Sequence, residues 1–306
     1  MSGISVYTVR SERDGTMLSV LKVSPESGIR GVLQMAHGMA EHKERYTAMM
    51  QFLADRGYVC VMNDHRGHGA SVASEKDFGY FGKDGANALV DDLHQITLAL
   101  RKEYPGVPLY LYGHSMGSLA VRAYRNRYEA DIDGLIVCGS PGANPAADAG
   151  IKLIKLLTLF KGGHGSSKLI MKMTGGMAAR FINEGSPFAW LSTVREEVEK
   201  YEKDPLCGFP FKLNGYQALM ELMKQAYLPA KTAKPDMPVH FLSGADDPCM
   251  PDKAGFENAV NVMRANGCVR VTSKLYEGRR HEIHNEDIRE QVYADIADLL
   301  DGWNTK

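Results

Sequence analysis

The stretch VPLYLYGHSMGSLAVRAYRNRYEA, residues 107–130, passes in one step from an apolar run to a helical pattern, with GHSMGS (113–118) at the junction. VPLYLY (107–112) reads as a buried strand and the residues from about 116 to 129 as a helix. The pentapeptide from Gly113 to Gly117 has the form G-x-S-x-G, which places a serine on a tight strand-to-helix turn. A side chain at 113 or 117 would collide with the strand or the helix, and glycine removes that collision while the hydroxyl of Ser115 stands clear above the sheet.

Working outward, the same alternation repeats. A hairpin, ISVYTV and MLSVLKV around Asp14-Gly15, comes first. GVLQMA (31–36) precedes a helix near 44–56, and YVCVMN (58–63) precedes one near 84–103. After LIVCGS (135–140) the pattern pauses and resumes with VHFLSG (239–244), a helix near 252–265, VRVTSKLY (269–276) and a last helix near 286–301. Strands apolar on both faces and separated by helices predict an α/β fold, a mostly parallel sheet with helices on both sides. Functional residues in such a sheet gather at the carboxyl ends of strands. The interruption at 142–234 is rich in helix formers, methionine and glycine pairs; it predicts a helical cap inserted between two parts of one core, 1–141 and 235–306.

Composition narrows the function classes. With 306 residues, 44% of them hydrophobic, the chain can bury one large core. Its 36 basic and 37 acidic residues leave a net charge of -1, so no global field draws a polyanion and no nucleic-acid partner is expected. The N-terminus lacks the charged start and apolar stretch of a secretory signal, and no run reaches the ~20 apolar residues that cross a bilayer; a cytoplasmic location is the expectation. Five cysteines, Cys60, Cys138, Cys207, Cys249 and Cys268, are scattered without CxxC spacing, which favours free thiols over a disulfide framework or a zinc site.

A serine hydroxyl needs a base to take its proton, and the base needs a carboxylate to hold it. Both residue types follow in loops after strands: Asp246 and Asp247 in SGADDP after VHFLSG, and His281 in EGRRHEIHNE after VRVTSKLY. Although HEIH looks like a zinc motif, its histidines are three apart where the zincin helix requires four, so neither metal nor cofactor is expected there.

Taken together, HGMAEHKERY (37–46), DHRGHGAS (64–71), GHSMGS, SGADDP and GRRHEIHNE resemble the serine hydrolases of the α/β-hydrolase fold. Within them, the chain looks like the monoacylglycerol lipase and lysophospholipase-like group, often labelled serine aminopeptidase. The resemblance covers the sheet domain and hardly touches the cap. It implies Ser115 as nucleophile, His281 as base and Asp246 as the acid, with Asp247 a turn former before Pro248. It also implies an oxyanion hole from the backbone N–H groups of Met39 and Met116. His37 and Gly38 are expected to fix the oxyanion loop, and Asp64, Arg66 and His68 to tie loops together. His284 is expected to be structural, Asp91 and Asp92 to be surface or capping charges, and Cys249 to be open to thiol reagents.

The cap stretch 151–182 contains no Asp or Glu but carries Lys152, Lys155, Lys161, Lys168, Lys172 and Arg180 between apolar residues. That is the pattern of a cationic amphipathic element resting on an anionic lipid surface, and equally of a helix with leucines inward and lysines outward. Met171, Met173 and Met177 are candidates to line an adaptable acyl tunnel. TVREEVEKYEKDP (193–205) reads as a solvated helix. The function these readings imply is hydrolysis of a lipid-like monoester through an acyl-enzyme; a short-chain esterase, thioesterase or aminopeptidase with the same triad, and a non-catalytic binding protein, are the alternatives.

Overall fold

The computed structural model describes residues 3–174, 176–250 and 252–305. Eight strands form one sheet: β1 (Gly3–Arg10), β2 (Met17–Ser24), β3 (Gly31–Ala36), β4 (Tyr58–Asn63), β5 (Leu109–His114), β6 (Gly134–Cys138), β7 (Val239–Gly244) and β8 (Val271–Tyr276). Their spatial order is β1-β2-β4-β3-β5-β6-β7-β8, with β1 and β2 antiparallel and the strands from β4 to β8 parallel. This is the α/β architecture, a mostly parallel sheet with helices on both sides, expected from the alternation.

The strands from β3 to β7 are buried at every position, because each face is covered by helices. Alternate residues go to opposite layers. Val32, Val59, Val61, Leu109 and Leu111 pack beneath α2 (Gly85–Glu103), α3 (Met116–Tyr128) and α8 (Lys253–Ala265). Leu33, Met35, Cys60, Tyr110 and Tyr112 pack beneath α1 (Thr47–Ala54) and α9 (Arg289–Asn304). Gln34 sits inside the first layer and is satisfied there, donating to the Leu93 carbonyl (2.8 Å) and accepting from Thr97 Oγ1 (2.6 Å).

Most element boundaries fall within two or three residues of the sequence reading, and the shifts have local causes. β5 runs on through Gly113 and His114, which still pair with Val137 and Cys138 of β6. β6 stops at Cys138 because Gly139 turns the chain with a positive φ of 55°. The last helix begins late, since residues Ile283–Asn285 form a separate 3-10 turn.

Between β6 and β7 lie α4 (Ala147–Lys161), α5 (Lys168–Thr174), a 3-10 segment (Gly176–Glu184), α6 (Arg195–Lys203) and α7 (Leu213–Ala226), with no strand among the described residues. Helix α7 carries Leu213, Ala218 and Leu222 into the same apolar layer as α2 and α3, which anchors the inserted segment to the sheet domain.

Candidate active site

Ser115 occupies the step from β5 to α3 with φ 53° and ψ -117°, a conformation that L-residues rarely adopt. Such a backbone costs on the order of 1–3 kcal/mol and persists where its surroundings over-determine it. Here they do so through the backbone: Ser115 N donates to the Cys138 carbonyl (3.0 Å), and Ser118 Oγ donates to the Ser115 carbonyl (2.5 Å). The flanking glycines are sterically required. A Cβ on Gly113 would lie 2.6 Å from both the Gly117 carbonyl carbon and Val121 Cγ2, and one on Gly117 would lie 2.6 Å from the His37 carbonyl oxygen.

His281 follows β8 and is buried. Its Nδ1 lies 2.9 Å from Oδ2 of Asp247, which is fully buried and also accepts from Ser243 Oγ (3.1 Å) and Cys249 N (2.8 Å). The carboxylate can only accept, so Nδ1 carries the proton and Nε2 is left to act as base. Burial disfavours the imidazolium, but the charge and hydrogen bond of Asp247 outweigh it and hold the His281 pKa well above the ordinary value; the same pair holds Asp247 below the usual carboxylate range despite its burial.

The partner of His281 is therefore Asp247, and the expected Asp246 is not. Asp246 has a side chain 47% exposed and meets Arg180 at 3.4 Å. The backbone explains the difference. Ala245 N and Asp246 N still donate to carbonyls of the β8 side, Tyr276 and Arg279, whereas Asp247 N turns back onto the Gly244 carbonyl. One residue of displacement at such a turn exchanges the inward and outward sides of the chain.

The loop after β3 lies directly against the elbow: a Cβ on Gly38 would stand 3.1 Å from Ser115 Cβ. The N–H groups of Met39 and Met116 take no part in the hydrogen bonds found among the described residues, and both residues line the same cavity as Ser115 and His281. As expected, His37 fixes this loop, its Nε2 accepting from His65 N (2.9 Å). Asp64 receives Lys43 N, Lys43 Nζ and Ala70 N, and His68 Nε2 receives Ala40 N (3.2 Å). Arg66 donates to Asp92 and Asp14. Asp92 is thus not a surface charge, because α2 turns it inward onto Arg66 and Ser11. Asp91 pairs with Arg127 nearer the surface.

The cavity over Ser115 has a volume of about 700 Å³ and takes its walls from both the sheet loops and the inserted segment. Met171, Met173, Phe188, Trp190, Phe209 and Leu219 are among its lining residues; the side chain of Met177 lies outside the described residues. Helix α6 is not wholly solvated, since Val198 and Tyr201 are buried and Tyr201 also lines the cavity.

Residues 27–288 match the family described as serine aminopeptidase, S33, well over half of the chain. The chain belongs to this family. A monoacylglycerol lipase of Mycolicibacterium smegmatis is 26% identical over 280 residues, covering 90% of each chain, and the human monoglyceride lipase is 27% identical over 296 residues, covering 92% of this chain and 86% of the human one. The crystal structure of a carboxyl esterase from Bacillus coagulans in complex with glycerol superposes with a TM-score of 0.89 at 26% identity, over 99% of this chain and 100% of that one. This family member is a hydrolase of the serine type.

Beneath its elbow the family member carries a buried polar network whose members the sequence reading passed over. Glu41 Oε1 accepts from Gly38 N and from Tyr46 Oη (2.9 Å) and lies 3.3 Å from His114 Nδ1. Arg45 clamps Glu41 (2.6 Å) and makes two bonds to Glu282 (2.7 and 2.6 Å). His114 Nε2 meets the His281 carbonyl at 3.2 Å, so the network joins the loop after β3, the elbow and the loop that carries His281. No spacing announces it, because Glu41 and Glu282 are 241 positions apart in the chain.

Two other expectations meet the structure differently. His284 is structural as anticipated, stacked on Tyr46 with ring centroids 4.6 Å apart. Cys249 is a poorer thiol target than its position suggested: burial pushes its pKa up to about 11, which suppresses the reactive thiolate.

Proposed function

We propose that this hydrolase cleaves the ester of a long-chain monoacylglycerol or lysophospholipid, with 142–234 serving as the cap and 1–141 and 235–306 as the core. Ser115 attacks the carbonyl carbon as His281 Nε2 takes its proton, and Asp247 orients the ring and balances the imidazolium. The N–H groups of Met39 and Met116 receive the oxyanion. His281 then gives its proton to the departing alcohol, and water activated by the same ring releases the fatty acid. The observation that carries the substrate class is the cavity wall: its described acids are only Glu41 and Glu282, and Arg45 holds both. An aminopeptidase would need a free anion there for the substrate ammonium; an apolar acyl chain needs none.

Hydrolysis of a chain-length series of monoacylglycerols, alongside aminoacyl amides, tests the reading. Each methylene that enters the cavity contributes about 0.8 kcal/mol, so four further carbons are expected to raise kcat/KM roughly 200-fold. A flat chain-length profile, or faster cleavage of the amides, overturns it.

We further propose that α4 and α5 rest on an anionic lipid surface. Of the two patterns that fit this stretch, the inward one accounts for only part of it: Ile151, Ile154 and Ile170 are buried and Leu153 and Leu157 pack against the core, whereas Leu159 and Phe160 are 81% and 82% exposed, with Leu156 and Leu169 more than half exposed and Lys155, Lys161 and Lys168 exposed among them. Such a surface binds by apolar burial plus attraction to anionic headgroups. No helix of the described residues is long and apolar enough to cross a membrane, so the contact proposed is peripheral. Co-flotation with phosphatidylserine-containing vesicles is expected to fall at least ten-fold in a Leu159→Ser/Phe160→Ser variant, since burying those two side chains is worth about 3 kcal/mol or more. Equal flotation of variant and parent removes the idea.

A further inference from the structure

The described residues contain two clusters with three potential metal donors. Asp247, Cys249 and His281 belong to the active site; His42, Asp204 and Cys207 do not. We propose that His42, Asp204 and Cys207 bind a zinc ion, with water in the fourth position, which ties the loop after β3 to the chain leaving α6. In this cluster the ring nitrogen, the carboxylate oxygen and the sulfur all lie within 4.8 Å of one another. His42 Nε2 and Asp204 Oδ2 are 2.9 Å apart. Tetrahedral zinc with ordinary bond lengths separates nitrogen and oxygen ligands by about 3.3 Å, and sulfur from either by about 3.5 Å. Occupation therefore asks for a few tenths of an ångström at the first pair and about an ångström at the thiol.

The surroundings already have the form of a metal site. His42 Nδ1 is held by Glu44 Oε2 at 2.7 Å, the carboxylate–histidine arrangement that fixes ring orientation and raises ligand basicity when Nε2 holds a metal. Asp204 is about a third exposed, which leaves an approach from solvent. A mixed sulfur, nitrogen and oxygen donor set suits zinc over the hard cations magnesium and calcium. Burial raises the Cys207 thiol in the metal-free chain, with Arg45 opposing it; a coordinated thiol loses its proton outright, so the ion itself supplies the charge that burial otherwise withholds. The segment so fastened is the one that grips the oxyanion loop, since Gly208 N and Tyr201 Oη both donate to the Ala40 carbonyl (2.9 and 2.8 Å).

The full chain carrying Cys249→Ser, which removes the sulfur of the other cluster, is titrated with Co²⁺ as a spectroscopic stand-in for zinc. One equivalent is expected to produce a near-ultraviolet thiolate-to-cobalt band that Zn²⁺ then abolishes. Adding Cys207→Ser should eliminate the band, and adding Glu44→Gln, which touches no metal-binding atom, should weaken affinity about 10- to 100-fold. Circular dichroism of each variant separates lost binding from lost folding, and Glu44→Gln serves if Cys207→Ser does not fold. Absence of the band in the Cys249→Ser chain, or its survival in the Cys207→Ser chain, overturns the proposal.

Discussion

Ser115→Ala is expected to lower ester turnover by a factor on the order of 10⁶, leaving only what the oxyanion donors and binding supply. The substitution removes the single oxygen that can form the acyl-enzyme. It leaves in place the forces that shape the elbow, which act on the backbone: the Ser115 N to Cys138 carbonyl bond and the close passage of Gly117 beneath β3. Alanine carries the same φ penalty as serine at this position, so the melting temperature should move little. Hydrolysis of a long-chain monoacylglycerol and labelling by a fluorophosphonate probe report the result independently. Turnover at the parental rate in the alanine variant would leave no role for Ser115 in the chemistry and would overturn the acyl-enzyme mechanism.

The neighbouring aspartates offer a sharper contrast. Asp247→Asn should reduce kcat by about 10⁴, because an amide facing His281 Nδ1 favours the wrong tautomer and gives no charge to balance the imidazolium. Asp246→Asn should stay within a few-fold of the parent. Its carboxylate is half exposed and among the described residues pairs with Arg180 of the inserted segment, and exposed ion pairs contribute about 1 kcal/mol or less. Measuring kcat for both variants on one substrate decides between adjacent residues. The reverse ranking would mean that the loop after β7 turns one residue earlier than described.

That pair shows where local pattern stops being informative. SGADDP marks a loop after a strand and supplies two carboxylates; which one faces inward depends on where β7 stops pairing with β8, a property of two strands together. Ser115 was readable because the elbow is local: glycine, serine and glycine within five residues meet a steric demand that holds wherever the fold occurs. His281 was readable once its strand was recognised. The Glu41–Arg45–Glu282 network and the exposed flank of α4 were not, since the first joins loops from opposite ends of the chain and the second depends on which helix face the sheet domain covers. Asp92 misled for the same reason: a charge on a helix reads as solvent-facing until the buried Arg66 beside it is known.

What the amino-acid order determined unaided is the periodic part of this protein: doubly buried strands, intervening helices, and a serine on a turn that only flanking glycines allow. Its information there is carried by neighbours within a few residues, through sterics and the burial of alternate side chains. Tertiary structure alone decided which aspartate meets His281, how the loop after β3 is braced, and whether His42 meets Cys207. Those outcomes rest on distances between segments far apart in the chain, and such distances exist only once the sheet has closed and the inserted helices have packed upon it.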